Sequence, residues 1–204
     1  MVAAALAQKS VHWTEFQPRC SVRWTSDVTA DSGTQHLTTD CPSGAKAQVV
    51  RVDDVVYVRG NPAGLESDST LSLTKAEARR YAGQWISIPK GSSNYAALAN
   101  GLTVASIVHD LSQLTSGYEL KVVRKGGTSL VVLEAAGGPE NYGARLSAQA
   151  HGDPLPVAFT SAEAGYGTGS FSHWNERVHV HAPERSTPIA TVCSGQCPNP
   201  GAHG

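Results

Sequence analysis

The chain of 204 residues lacks an excess of charge of either sign: 16 Lys and Arg stand against 17 Asp and Glu, for a formal net charge of −1. With no surplus positive field, a generic grip on nucleic-acid phosphates or on an anionic bilayer is disfavoured. Large apolar residues are also scarce. Leu, Ile, Val and Phe together number 41, near the composition at which chains stop folding, but a net charge so close to zero favours a thinly cored globule over disorder. Long apolar runs are missing too. The longest near the N-terminus, Val2 to Ala7, has no basic flank and falls far short of the ~20 residues of a membrane span. It reads as a short helix opening a mature domain, with no export signal or anchor expected in the chain.

Catalytic signatures are absent as well. There is no phosphate-cradling loop ending in Lys-Ser/Thr, no nucleophile elbow and no zincin helix, which favours binding over chemistry. The glycines of Gly165-Tyr166-Gly167-Thr168-Gly169 precede a strand pattern instead of a helix, so they read as a turn and not as a dinucleotide loop. Asp53 and Asp54 sit side by side in a tight turn, where adjacent carboxylates diverge into solvent and do not pair for acid/base work.

What the chain does contain is β-branched residues and turns. Val (20) outnumbers Leu (14) and Ile (4), beside 15 Thr, 20 Gly and 11 Pro, which favours strands over a helical bundle. Strands are predicted over residues 10–16, 20–29, 33–40, 49–59 (a hairpin turning at Asp53-Asp54), 118–125, 129–135, 144–150, 155–161, 168–173 and 176–182. The middle changes character. Thr74-Lys75-Ala76-Glu77 is a capping box that opens a helix running to about Tyr81. From Thr103, the residues Val104, Ile107, Val108, Leu111 and Leu114 form one apolar helical stripe that must bury itself against a sheet. About ten short strands and a few helices predict an α+β fold, a curved antiparallel sheet wrapping helices on its concave face. A single domain over 1–185 is expected, followed by a Pro/Gly-rich tail over 186–204. Where such a sheet curls over few helices, incompletely filled apolar space is left between them.

The four cysteines form an even set. Cys20 and Cys41 are nearly symmetric about the turn near 30–33, which brings them opposite each other at a separation suited to a disulfide. Cys193 and Cys197 flank a short segment where a small loop closes easily, although four cysteines allow three pairings. Two local disulfides imply an oxidising compartment. A metal set of Cys193, Cys197 and His203 lacks a fourth ligand. His179 and His181 share one face of the expected strand 176–182, and His173 lies just upstream, so a three-imidazole hydrolytic metal site is conceivable. Val178 and Val180 claim the core side of that strand, however, and leave both imidazoles in water. Ser and His are plentiful, but no triad can be assigned from spacing. Trp13, Trp24, Trp85 and Trp174 serve as core or as a ligand platform.

Several segments, in order and in wording, resemble one family. These are Asp53-Asp54-Val55-Val56-Tyr57-Val58-Arg59-Gly60, where a Tyr-Val pair precedes a helical insertion; the Gly-x-Trp-x-x-x-Pro step in 82–89; Leu155-Pro156-Val157; and 169–176 leading to Ala182-Pro183. Over residues 3 to 185 the chain resembles the actinobacterial envelope lipoproteins of the LppX/LprAFG type, in the LolA-like half-barrel superfamily. The resemblance implies an apolar cavity for acyl chains and a lipidated Cys just upstream, tethering the protein to the outer face of the cytoplasmic membrane. Cys20, well inside the domain, is not that residue. The expectation is therefore an extracytoplasmic, non-enzymatic carrier or sensor of a lipid or other apolar molecule. It needs no cofactor or nucleic acid, touches a membrane only through an anchor, and has an envelope protein as a further potential partner. A cavity lining of Trp85, Ile107, Val108, Leu111, Leu133, Val157 and Phe171 is expected. The rivals are an envelope interaction module with a filled core and a hydrolase built on His173, His179 and His181.

Overall fold

A computed structural model describes residues 1–41, 44–68, 70–113, 118–125, 127–135, 145–160 and 167–193. Helix α1 (Val2–Leu6) leads into β1 (Ser10–Gln17), a single 3-10 turn (Arg19–Ser21), β2 (Val22–Thr29), β3 (Gly33–Thr39), β4 (Ala45–Val52) and β5 (Val55–Gly60). Four helices interrupt the strands: α2 (Pro62–Ser67) and α3 (Lys75–Arg80), then, after β6 (Ile86–Pro89), α4 (Tyr95–Ala99) and α5 (Val104–Gln113). Strands β7 (Tyr118–Lys125), β8 (Thr128–Ala135), β9 (Arg145–Gln149), β10 (Pro156–Thr160) and β11 (Thr168–Ser172) follow, and β12 (Thr187–Pro188) with α6 (Ile189–Val192) closes the described chain.

All twelve strands join one open sheet in the order β12-β6-β5-β4-β3-β2-β1-β11-β10-β9-β8-β7. Pairing is antiparallel throughout except for β12 on β6. The expected α+β architecture is what forms. The long hairpins follow from alternation in the sequence: Val11 and Trp13 are buried while His12 and Thr14 are not, and Leu146 and Ala148 are buried between Arg145 and Gln149. A strand with one dry face lets its partner settle in only one register.

The helices cover two separate stretches of the sheet. One cluster holds Val49, Val56, Val58, Ile86 and Ile88 of the sheet against Leu65, Ala78, Leu98 and Val192 from α2, α3, α4 and α6. The other holds Val11, Trp13, Val28, Leu146 and Phe171 against Ala5 of α1 and Val104, Ile107, Val108 and Leu111 of α5. Capping explains where two of these helices begin. Asn61 accepts a hydrogen bond from the Gly64 amide at the start of α2. Thr74 and Glu77 form the foreseen reciprocal box on α3, and those bonds hold the Glu77 carboxyl below the usual carboxylate range.

Cys20 and Cys41 are bonded, with Cα atoms 5.1 Å apart. They do not sit on paired strands, as the spacing suggested. Cys20 occupies the 3-10 turn with φ 68°, and the bond clips that turn to the end of β3 just beyond the ladder. Replacing both cysteines by serine is expected to cost about 3 kcal/mol, since the loop closed by the bond spans 21 residues. A denaturation midpoint unmoved by the double substitution would contradict this.

Four other expectations are corrected. Residues 176–182 alternate as predicted, with Val178 and Val180 half-buried and His179 and His181 exposed, but among the described residues they pair with no strand. Alternation reports an extended backbone with one covered side, and it is equally satisfied outside a ladder. Among the described residues the sheet has twelve strands instead of about ten, because β6 and the two-residue β12 are too short to show a period. Helices α2 and α4, of six and five residues, escape the sequence for the same reason. Beyond 185, packing continues: β12 pairs with β6, and Ile189, Val192 and Cys193 enter the first cluster. Cys197, His203, Leu114 and the turn at Gly165-Tyr166 lie outside the described residues.

Candidate functional site

A cavity of about 390 Å³ lies between the sheet and α5, lined by Trp13, Glu15, Trp24, Gln35, Phe159 and Phe171 from five strands and by Ile107 and Leu111 from the helix. Ladder register brings the sheet residues together. Trp13 pairs with Phe171 on one side and Ser26 on the other, Glu15 pairs with Gly169 and Trp24, and Gly169 pairs with Phe159. All of them therefore share the face that the helices cover. Gly169 supplies room here: a Cβ on it would lie 2.0 Å from a Phe159 ring atom, so only glycine lets that ring lie across the strand. Phe159 and Phe171 pack with ring centres 5.6 Å apart, and Phe171 and Trp174 at 6.0 Å. The Trp174 indole is fixed from outside by its hydrogen bond to the Pro156 carbonyl.

The floor is aromatic and aliphatic, and the mouth is polar. Asn100 and Asp110 are exposed at the rim, where the Asn100 amide donates to Asp110 at 3.3 Å. Glu15 is half-buried in the wall. Burial pushes its carboxyl above the usual carboxylate range, against the smaller opposing effect of a hydrogen bond from Gln17. Trp13 is 9% exposed, and its indole N–H finds no hydrogen-bond acceptor among the described residues. The neighbouring Ser26 hydroxyl, also buried, is likewise unpartnered. Both groups are sealed in the packed layer, where an unsatisfied polar atom lowers stability.

Of the residues expected to line a cavity, Ile107, Leu111 and Phe171 meet in this one. Val108 is 1% exposed and packs into the core beneath, one residue round the helix from the lining. Leu133 is partly buried against the same cluster but does not reach the cavity wall. Val157 falls at an irregularity in β10, where the register shifts between Pro156 and Ala158. Trp85 is remote: the guanidinium of Arg59 lies 4.6 Å over its ring, and it borders a different, smaller depression near Arg185. Trp13 and Trp24, which the sequence left open between core and ligand platform, line this cavity, and so do Glu15, Gln35 and Phe159, which it did not single out because only strand order shows that residues so far apart in sequence converge. A more open groove of about 600 Å³ runs past Leu37, Ala47, Gly60 and Pro62, and among the described residues no Phe, Tyr or Trp lines it.

The three histidines do not converge. The His173 ring lies 5.8 Å from His12, while His179 stacks on His181 at 6.2 Å. Among the described residues no three His, Cys, Asp or Glu side chains form a group able to hold a metal. On the face away from the cavity, Asp27, His12 and Ser172 line up across β2, β1 and β11, and His12 bonds Asp27 at 2.8 Å. Among the described residues His12 makes no hydrogen bond to Ser172, and none of the three borders the cavity.

No family model matches the chain, and no curated protein matches it. Among solved structures it is similar to the lipoprotein LppX of Mycobacterium tuberculosis, at 15% identity and a TM-score of 0.50, over 88% of this chain and 93% of that one. The fold is LppX-like. At that identity the likeness speaks for architecture, and the LppX-like sheet accounts for the position of the cavity between strands and helix.

Proposed function

We propose that the chain is an extracytoplasmic, non-enzymatic protein that binds a lipid or other apolar molecule in the cavity between β1, β2, β11 and α5. The observation that carries this reading is the cavity itself, a pocket with Trp13, Trp24, Phe159 and Phe171 in its wall. Its volume falls toward the small end of the range for ligand sites, roughly 300–1,000 Å³, which suits one acyl chain or a small apolar molecule better than several chains together. The LppX-like fold and the Cys20–Cys41 disulfide are consistent with an envelope location.

The lining also bears on the head of the ligand. Among the described residues it carries two carboxyl groups, Glu15 and Asp110, and no Lys, Arg or His. A carboxylate or phosphate entering there meets like charge, whereas an uncharged ester does not. The test is a titration of the purified protein with a fluorescent fatty acid and with its methyl ester. The ester should bind about tenfold more tightly at neutral pH, and native mass spectrometry of material purified without added lipid should find an uncharged apolar molecule bound. Protein that purifies empty and takes up neither probe overturns the reading in favour of a filled-core interaction module.

A further inference from the structure

Among the described residues four large apolar side chains stand exposed, and three of them are on one strand: Leu120 at 65%, Val122 at 67% and Val123 at 40%. That strand is β7, one of the two edges of the sheet among the described residues. Leu120 and Val122 lie on the helix-covered face and Val123 on the other. The row through Leu120 continues in register to Leu133, Leu146 and Phe159, so the exposed edge and the cavity wall are two ends of one apolar line across four strands.

Charge is sorted along the same strand. Lys121 is held between Glu119 at 3.5 Å and Glu134 at 2.9 Å, and Glu134 also takes Arg145. Arg124 is exposed on the face of Leu120 and Val122 and forms no ion pair among the described residues, and Lys125 ends the strand. Two apolar side chains followed by a free cation form an interfacial pattern, in which the hydrocarbon enters the acyl boundary and the long basic side chain reaches back to phosphate.

We propose that β7 rests its edge of the sheet on the headgroup layer of an anionic lipid bilayer, the place from which a ligand would pass to the cavity. The proposal rests on the lipid-binding reading for its purpose, but it stands on a separate surface. A second copy of the chain is the poorer occupant. Edge-to-edge strand pairing covers backbone N–H and C=O groups and leaves apolar side chains on both faces still in water, whereas a bilayer surface envelops the edge from both sides. At headgroup depth, water and phosphate also satisfy the edge amides, which the hydrocarbon interior could not.

Sedimentation of the full chain with vesicles tests it. Binding to phosphatidylcholine–phosphatidylglycerol vesicles should exceed binding to pure phosphatidylcholine. The double variant Leu120→Ser, Val122→Ser should bind both about tenfold more weakly, and Arg124→Gln should lose about fivefold on the anionic vesicles alone. Uptake of the acyl ester from solution, measured on the same samples, should be unchanged in all variants, so failure of docking and failure of ligand binding read out separately. Wild-type protein that sediments with neither vesicle overturns the proposal, as does equal sedimentation of the wild type and the double variant. Light scattering that shows a dimer abolished by the double variant, without vesicle binding, also overturns it, in favour of a second copy.

Discussion

Gly64→Ala should destabilise the fold by about 3 kcal/mol, far more than one added methyl normally costs. Gly64 is the third residue of α2, and a Cβ built on it lies 2.1 Å from the Lys46 carbonyl oxygen and 2.6 and 2.9 Å from other backbone atoms of Lys46. No flexible side chain can yield here, because the obstacle is strand backbone. The same contact is locked from its other side. Asn61 accepts from both the Gly64 amide and the Lys46 amide and donates to the Gly44 carbonyl. The helix therefore has to lift off β4, and Leu65, which is fully buried, loses its packing. Gly83→Ala is the matched control. Gly83 has φ +74° with nothing within 4 Å of a Cβ, so only backbone strain of about 1 kcal/mol applies. Chemical denaturation of both variants separates the two costs, and equal losses would show that the α2–β4 contact is not the constraint proposed.

That contact also marks the limit of what the sequence reveals. Hairpins with their own turn chemistry, such as β4–β5 across Asp53-Asp54, were legible, as was the amphipathic α5, because their signals are local and periodic. The capping box of α3 could be read to within a residue. Helix α2 could not, although Asn61-Pro62 is a cap followed by a first-turn proline. Six residues carry too few turns for a stripe, and the reason they are helical lies in the backbone of β4. The segment 176–182 failed in the opposite sense, having the period of a strand without a neighbour to pair with among the described residues.

The candidate site was half legible. Ile107 and Leu111 could be named from the helical stripe, yet the stripe does not say which of its members faces a void and which faces packed sheet, and Val108 shares it. On the strand side, Trp13, Glu15, Trp24 and Phe159 belong to segments separated by up to most of the chain, and β1 has to pair with β11 before they meet. Glu15 was the least visible. A carboxylate on a strand reads as solvent-facing until the register sets it on the same face as Trp13 and beside Trp24, which half-buries it.

Ile107→Trp is expected to abolish ligand uptake, with at least a tenfold loss of affinity for the acyl ester, while leaving the protein folded. Ile107 is 6% exposed on the cavity side of α5, opposite the indole and phenyl rings of Trp13 and Phe171, and the extra volume of an indole has unfilled space to enter. Filling a void removes no existing contact, so stability should be unchanged or raised by up to about 1 kcal/mol. Should the larger ring fail to fit, Leu111→Trp one turn further along α5 places its bulk in the same space from a different angle. Val108→Ala supplies the converse on the same helix. It removes methyl groups from a side chain that is 1% exposed and does not border the cavity, which should cost about 2 kcal/mol of stability and leave the affinity of the folded protein as it was. The pair separates occupancy of the void from integrity of the core, because one change closes the space without weakening the fold and the other weakens the fold without closing the space. If folded Ile107→Trp and Leu111→Trp proteins both retain full affinity, the ligand does not enter between β1 and α5, and binding must be sought outside the cavity.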